Sequence, residues 1–175
     1  MSRIFDSDYL KENREIVEKL RTMPALSYFE EKDLEGILGL SKMLKYDPGE
    51  LIIQEGQYDN WIFFIVSGKV SIQMKGETIA ILKSRGDLFG EMGVIDGSPR
   101  SATIRAIDET FCLAIDVSYW DRLKGESKLA LTCTLYRVFA EILASRLRLR
   151  DEEWVRLKDE NAALRAELEK MKACV

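Results

Sequence analysis

The sequence predicts a mainly β protein: an antiparallel β-roll or jelly roll with flanking helices, followed by a long C-terminal coiled-coil helix. Between Lys42 and about Ile115, short runs of β-branched and aromatic residues alternate with glycine-marked turns. The turns recur about every 8–12 residues, which is typical of antiparallel rolls and sandwiches. After Gly125 the chain contains neither proline nor glycine, as expected for one uninterrupted helix.

The predicted roll is built from six strand-like runs. They are LIIQEG, WIFFIVSG, KVSIQM, TIAILK, SATIRAI and TFCLAI. The longest interruption, Ser84 to Arg100, is rich in glycine, and a long loop inside a tight roll is usually functional. Cys112, in the last run, and Cys133 are expected in the core.

Helices are predicted on both sides of the roll. Apolar residues recur at helical spacing from Ser7 to about Thr22, where Pro24 ends the helix, and a second short helix runs from Phe29 to about Leu40. The predicted domains are an N-terminal helical extension (1–25), a β-roll (26–126) and a C-terminal helix (127–175) whose dimerisation segment begins at about residue 147.

The composition excludes several classes of function. The 175 residues include no histidine and only three cysteines, without a C-x-x-C pair, which argues against His-based catalysis, zinc sites and disulfide scaffolds. A net charge of −4 is unfavourable for binding nucleic acid. No apolar run is long enough to span a membrane, and the charged N-terminus lacks a signal-peptide core. We expect a cytoplasmic protein that is not an enzyme and that binds neither nucleic acid nor membrane.

The long loop contains the most informative motif, Phe89-Gly90-Glu91-Met92-Gly93-Val94-Ile95 followed by Ser98-Pro99-Arg100-Ser101-Ala102-Thr103. This motif resembles the phosphate-binding cassette of the cyclic nucleotide-binding domain family, which includes the catabolite activator protein, protein kinase A regulatory subunits and cyclic nucleotide-gated channels. The resemblance covers about Leu26 to Arg150. It extends upstream to Pro48-Gly49-Glu50, Glu55-Gly56, Asp59, Phe64-Ile65 and Ser67-Gly68, and it departs at Gly93-Val94, where the family commonly has Ala-Leu.

The chemistry of the motif suits a cyclic phosphate. Gly90 permits close approach of backbone N–H groups to the anion, and the fork of donors on Arg100 adds a charge-assisted contact. Glu91 repels phosphate and instead suits a donor such as the ribose 2′-OH. Ser101 offers its hydroxyl to the phosphate or the base, and the small Ala102 leaves room for its backbone N–H. The family resemblance at Ser101 favours cAMP over cGMP as the ligand.

The C-terminal helix carries a heptad pattern from Asp151 onward, typical of a parallel two-stranded coiled coil. Apolar residues and one asparagine occupy the a and d positions, and acidic g positions face basic e positions of a partner. The a residues are Trp154, Asn161, Leu168 and Val175; the d residues are Leu157, Leu164 and Met171; the g residues are Glu153, Glu160 and Glu167; the e residues are Lys158, Arg165 and Lys172. The sequence therefore predicts a homodimer.

Upstream of the heptads, Arg146, Arg148 and Arg150 are open to two interpretations. By the resemblance, the helix at this point could cap the nucleotide base, where a cation stacks on a purine face; alternatively these arginines form a solvated surface. Leu135, Val138, Phe139, Ile142 and Leu143 form an apolar stripe that is expected to pack on the roll and on a partner helix.

The favoured function is a cyclic-nucleotide sensor that relays ligand binding through the dimeric helix to an unidentified downstream protein. One alternative is a constitutive dimerisation or scaffold module with a non-sensing roll. The other is a relative of transcription regulators that lacks their helix-turn-helix domain, since no second helical pair follows the long helix.

Overall fold

The computed structural model describes residues 3–5, 22–23, 41–118 and 126–173 of the chain. Strands and helices in these ranges are β1 (Arg3–Phe5), β2 (Ser41–Tyr46), β3 (Leu51–Ile53), β4 (Trp61–Ser67), β5 (Val70–Met74), β6 (Glu77–Leu82), β7 (Leu88–Phe89), α1 (Glu91–Asp96), β8 (Thr103–Ala106), β9 (Thr110–Asp116) and α2 (Glu126–Ala173). The predicted helix from Phe29 to Leu40 lies outside the described residues, and so does the predicted helix from Ser7 to Thr22 except for its last residue. Thr22 and the following Met23 form a turn and a bend.

The strands form two sheets in which every described pairing is antiparallel. One sheet has the order β1-β2-β9-β4-β7, and the other has the order β3-β8-β5-β6. Both sheets are followed in the chain by the long helix α2. The prediction of an antiparallel β-roll followed by a long C-terminal helix is therefore confirmed.

A core of apolar side chains fills the space between the two sheets. Phe63 and Ile65 of β4 reach it from one sheet, and Val70 and Ile104 reach it from the other. The rings of Phe63 and Phe89 stack with centroids 5.1 Å apart. Phe63 and Ile65 both point into this core because successive side chains of a strand point to opposite faces, so that residues two positions apart share a face.

The other face of the first sheet is buried as well. Ile62 and Phe64 of β4, and Leu113 of β9, are fully shielded from solvent although they point away from the inter-sheet core. Burial on both faces explains why β4 reads WIFFIVS, a continuous apolar run rather than an alternating one.

Three strands were not among the predicted runs. In β2, lysines interrupt the apolar pattern of SKMLKY, but the strand pairs along its whole length with β9. The strand β1 pairs with β2 through Arg3–Lys45 to Phe5–Met43, and β7 consists of two residues only. Such short strands carry too little periodicity to be recognised from sequence.

Two compact units divide the chain, residues 1–136 and residues 137–175, and the helix α2 spans the boundary. In α2 the side chains of Leu135, Val138 and Phe139 are buried, whereas every side chain from residue 151 to residue 172 is exposed. Among the described residues, no helix combines the length and the apolar character needed to cross a membrane.

The predictions for the two described cysteines have different outcomes. Cys112 on β9 is buried in the inter-sheet core, as expected. The prediction for Cys133 is wrong, because its side chain is exposed on α2. It sits two residues before buried Leu135, and a step of two residues turns an α-helix by more than half a circle, so the two side chains lie on different faces.

Candidate ligand-binding site

The segment 89–102 is placed by the end of β7 and the short helix α1. Phe89 belongs to β7, which pairs with β4, and α1 begins two residues later at Glu91. Gly90 joins them with φ +87°, and Gly97 ends α1 with φ +70°. Both glycines adopt the left-handed conformation that side-chain-bearing residues rarely tolerate, so the tight entry and exit of α1 require glycine.

The side chain of Arg100 binds this segment to its surroundings through several hydrogen bonds. Its side chain is only 3% exposed and forms a bidentate pair with Asp59, in which Nε donates to Oδ2 at 3.0 Å and Nη2 donates to Oδ1. Nη2 also donates to the carbonyl oxygen of Trp61, and Nη1 donates to the carbonyl oxygen of Gly90. A buried guanidinium needs such partners, because an unpaired charge away from water is costly.

The backbone of Arg100 is held by the loop between β3 and β4. Its N–H donates to the carbonyl oxygen of Gln57 at 2.8 Å, and its own carbonyl oxygen accepts from the N–H of Gly56 at 2.9 Å. In the same loop, Asp59 Oδ1 accepts from the N–H of Trp61 at 2.9 Å, which orients the carboxylate. Arg100 is therefore fixed in both backbone and side chain by one loop.

Gly90 and Gly93 leave room for this arrangement. A Cβ atom on Gly90 would lie 2.9 Å from Arg100 Nη1 and 2.9 Å from the Trp61 carbonyl oxygen. A Cβ atom on Gly93 would lie 2.9 Å from the carbonyl oxygen of Ser98. The departure from the family pattern at Gly93 thus coincides with a close approach between α1 and the segment that leads to Arg100.

The remaining predicted residues of the segment have different environments. Glu91 is 3% exposed at the start of α1, and Ala102 is buried. Met92 is exposed, and the hydroxyl of Ser101 contacts its sulfur, with Oγ and Sδ 3.7 Å apart. The structure therefore brings Gly90 and Arg100 together, and Met92 and Ser101 together, within one short segment.

Arg146 and Arg150 lie on α2, in the second compact unit. Arg150 Nη1 donates to Glu153 Oε2 at 3.1 Å, a contact between residues three positions apart. Their predicted role in capping a nucleotide base stays a prediction.

Asp59 is the residue of this candidate site to which the sequence analysis assigned no role. It was noted only as part of the pattern upstream of the cassette, and its position 41 residues before Arg100 hides their contact. The available signal was chemical: a buried arginine requires an acidic partner. The described residues include no group of three or more His, Cys, Asp or Glu side chains that could hold a metal ion.

Three kinds of comparison with known proteins point to the same family. Residues 43–126 match the family model of the cyclic nucleotide-binding domain. The chain is 29% identical over 116 residues to the cGMP-dependent protein kinase of Eimeria tenella, covering 65% of this chain and 12% of the kinase. It is 28% identical over 123 residues to the cAMP-dependent protein kinase regulatory subunit of Debaryomyces hansenii, covering 70% of this chain and 25% of that subunit.

The fold is similar to that of a cyclic nucleotide-binding domain from Methylobacillus flagellatus KT, with a TM-score of 0.66 and 22% identity over 84% of each chain. The chain spans about an eighth of the kinase and a quarter of the regulatory subunit that it matches. The segment 89–102 lies inside the matched range, whereas Arg146 and Arg150 lie beyond it.

Proposed function

Because residues 43–126 belong to the cyclic nucleotide-binding domain family, we propose that this chain is a sensor that binds a cyclic nucleotide, cAMP in preference to cGMP, at the segment 89–102. It acts in the cytoplasm as a regulatory protein rather than as an enzyme. The observation that carries the proposal is the fixed guanidinium of Arg100 beside Gly90.

The geometry of Arg100 suits a phosphate. A guanidinium has five N–H donors, and the contacts described above use four of them: one on Nε, two on Nη2 and one on Nη1. The second N–H of Nη1 is the donor that we assign to a phosphate oxygen. Since Asp59 holds the other side of the fork, the ligand meets a guanidinium that is already oriented, which reduces the ordering cost of binding.

The neighbours of Arg100 complete the proposed site. We assign to Glu91 the ribose 2′-OH, since a carboxylate accepts from a hydroxyl but repels a phosphate. The N–H of Ala102 and the hydroxyl of Ser101 are further donors for the phosphate, and Phe89 and Met92 flank the turn. Arg146 or Arg150 is proposed to cap the base by cation–π stacking.

The proposed output is a change in the position or dimerisation of α2. A ligand that contacts one of two helix arrangements more favourably shifts the population toward that arrangement. In a parallel dimer the shift in one chain reaches the other, so that binding becomes cooperative and a downstream protein can read the change. The whole relay, including the homodimer, belongs to this proposal.

One observation favours a second candidate function. Arg100 already uses four of its five N–H donors on Asp59 and two carbonyl oxygens and is almost fully shielded from solvent. A roll whose guanidinium is occupied internally suits a constitutive dimerisation or scaffold module that senses nothing. The two candidates differ in one measurable property, the affinity for cyclic nucleotides.

Isothermal titration of the purified chain with cAMP and then with cGMP tests the proposal. We expect micromolar or tighter binding that Arg100→Ala abolishes. The matched control is Arg105→Ala, because Arg105 lies on β8 and its Nη1 donates to the Gly49 carbonyl oxygen at 3.2 Å, outside the segment 89–102. The control is expected to retain wild-type affinity. If a folded wild-type chain binds neither nucleotide, the sensor proposal fails and the scaffold function is favoured.

A further inference from the structure

The turn that joins β5 to β6 has a strained backbone. Met74 and Glu77 are the last pair of the two strands, so the turn consists of Lys75 and Gly76. Both residues have positive φ, +52° for Lys75 and +86° for Gly76, as in the two-residue hairpin turns that prefer Asn-Gly. Lys75 is the only residue other than glycine with positive φ in the described part of the chain. A lysine in this conformation needs support from its surroundings.

The support comes from Glu55, in the loop between β3 and β4. Glu55 Oε2 accepts a hydrogen bond from the backbone N–H of Lys75, with the two atoms 3.2 Å apart. The backbone N–H of Glu55 in turn donates to Thr103 Oγ1 at 3.1 Å. The carboxylate of Glu55 thus holds the end of the β5–β6 hairpin, while its backbone is bound to the first residue of β8.

The loop that carries Glu55 is the same loop that holds Arg100. Its next residues bind the backbone of Arg100 through the Gly56 N–H at 2.9 Å and the Gln57 carbonyl oxygen at 2.8 Å. They bind the side chain of Arg100 through the carboxylate of Asp59. The loop and the end of the candidate site are therefore joined at successive positions, and the side chain of Glu55 connects both to the hairpin.

The hairpin extends beside the proposed phosphate donors. The strand β5 pairs with β8 in antiparallel register, and the last pair of that ladder is Gln73–Thr103. Continued beyond this pair by one and two residues, the register leads the hairpin past Ala102 and then past Ser101 before the turn is complete. The turn at Lys75 therefore lies near the residues whose N–H and hydroxyl groups we assign to the phosphate.

We propose that Glu55 is a positioning residue of the nucleotide site, which keeps the β5–β6 hairpin beside Ser101 and Ala102 by holding the turn at Lys75. The inference rests on the proposed binding of a cyclic nucleotide and adds to it a means of retaining the ligand. Without the hydrogen bond from Glu55, nothing offsets the positive φ of Lys75, so the turn relaxes and the end of the hairpin leaves its position. A bound nucleotide is then released faster, whereas its rate of arrival is unchanged.

Four variants separate this role from a direct contact with the ligand. Glu55→Ala removes the acceptor, and Glu55→Gln keeps an acceptor oxygen at the same position. Lys75→Gly relieves the strain at the turn, because glycine adopts positive φ readily. The fourth variant combines Glu55→Ala with Lys75→Gly. The matched control is Glu77→Ala, which removes an exposed carboxylate from the other side of the same turn.

Isothermal titration measures the affinity of each variant for cAMP, and displacement of a fluorescent cAMP derivative in stopped flow measures the dissociation rate. We expect Glu55→Ala to weaken binding about tenfold, through faster dissociation. Glu55→Gln, Lys75→Gly and the control should stay within about twofold of the wild-type values, since each retains the closed turn. The double variant should stay within about threefold, because a glycine turn keeps its conformation without the carboxylate.

The free energy of unfolding in urea, measured without nucleotide, shows whether each variant is folded. A purely structural role of Glu55 would lower this free energy and leave the dissociation rate of cAMP unchanged. If Glu55→Ala does not fold, Glu55→Asp replaces it: the shorter carboxylate keeps the charge, ends one methylene short of the Lys75 N–H and carries the same prediction.

The possible outcomes distinguish this inference from the sensor proposal. A wild-type dissociation rate in the Glu55 variant overturns the inference while the sensor proposal stands. An equal loss of affinity in Glu55→Ala and in the double variant overturns it too, because Glu55 would then act on the ligand or on Arg100 and not through the turn. Failure of the folded wild-type chain to bind either cAMP or cGMP overturns both.

Discussion

Asp59 and Arg100, 41 positions apart in the sequence, form a bidentate ion pair in which the guanidinium is 3% exposed and the carboxylate 35% exposed. The pair joins the loop after β3 to the segment that follows α1. The same guanidinium reaches the carbonyl oxygens of Gly90 and Trp61. The Arg100 side chain thus binds three other residues of the chain, Asp59, Gly90 and Trp61.

A double-mutant cycle measures the strength of this pair. We expect Asp59→Ala and Arg100→Ala, singly and together, to give a coupling energy of about 1–3 kcal/mol, less than for a fully buried pair because Asp59 is partly solvated. The measurement is the free energy of unfolding in urea. The matched control is Lys69 and Asp108, an ion pair at 3.4 Å whose side chains are 52% and 43% exposed, with an expected coupling below about 1 kcal/mol. Equal couplings for the two pairs would contradict the structural role of Asp59.

Replacement of Gly90 separates backbone strain from crowding. Gly90→Ala places a methyl group 2.9 Å from Arg100 Nη1 and from the Trp61 carbonyl oxygen, in a conformation with φ +87°. Gly97→Ala is the control, because its φ of +70° imposes similar strain while its Cβ meets no atom within 4 Å. We expect Gly97→Ala to cost about 1 kcal/mol and Gly90→Ala clearly more, with loss of nucleotide binding in Gly90→Ala alone. Identical melting temperatures for the two variants would disprove crowding at Gly90.

We expect the folded chain to lose stability at alkaline pH, because two titratable groups, Cys112 and Tyr46, lie in its core. Burial raises the pKa of the Cys112 thiol from 9.0 to about 12, and burial, followed by the neighbouring Cys112 and Glu50, raises the pKa of the Tyr46 phenol. Both groups keep their protons longer in the folded chain than in the unfolded chain. Their contribution to stability is therefore complete below the unfolded pKa values and is lost as the pH rises from about 9 toward 12.

Urea unfolding at a series of pH values checks this expectation. Cys112→Ala and Tyr46→Phe should each reduce the slope with which the free energy of unfolding falls above pH 9. Ile65→Val, which removes one methylene from the same core without a titratable group, should lower the free energy of unfolding equally at every pH. An unchanged alkaline slope in Cys112→Ala would show that the thiol does not contribute to it.

The proposed dimer predicts a position-dependent effect of charge on α2. Leu164→Glu puts a carboxylate at a d position, and its side chain is 65% exposed in the single chain. Ala166→Glu puts the same group two residues later at an f position on the outer surface. We expect sedimentation to show a shift toward monomer of tenfold or more in the dissociation constant, about 1.4 kcal/mol, for Leu164→Glu only. Equal dissociation by both variants would point to helix propensity or net charge instead of contacts at the a and d positions.

The sequence predicted the elements whose residues carry a strong local signal. The runs that became β4, β5, β8 and β9 are rich in β-branched or aromatic residues, and those of β4 and β5 are bounded by glycine. The uninterrupted helix followed from the lack of helix breakers. The strands β1 and β7 have three and two residues and are defined only by their partners, Met43–Lys45 and Phe63–Phe64. Pairing with a distant strand leaves no periodicity in so short a segment.

Those residues of the candidate site that lie in one continuous stretch of sequence were predicted. Gly90, Glu91 and Arg100 belong to one motif, and the structure keeps Gly90 and Arg100 in contact. The partner of Arg100 lies in another loop, and the contact depends on how β3 and β4 are joined. Cys133 was misplaced for a related reason. An apolar residue on a helix indicates a buried face, but sequence alone does not say whether the chain itself or a second copy covers that face.

The positions of Trp61 and Trp154 make the chain optically informative without labels. The Trp61 carbonyl accepts from Arg100, and its indole lies under the ammonium of Lys42 at 5.6 Å, so the sensor proposal predicts that its fluorescence changes when a nucleotide binds at the segment 89–102. Trp154 is 69% exposed at an a position, and its emission is expected to move to shorter wavelength when a second helix excludes water. With Trp120, the third tryptophan of the sequence, replaced by phenylalanine, a comparison of stopped-flow traces with and without Trp154→Phe would separate the arrival of the nucleotide from the pairing of the helices.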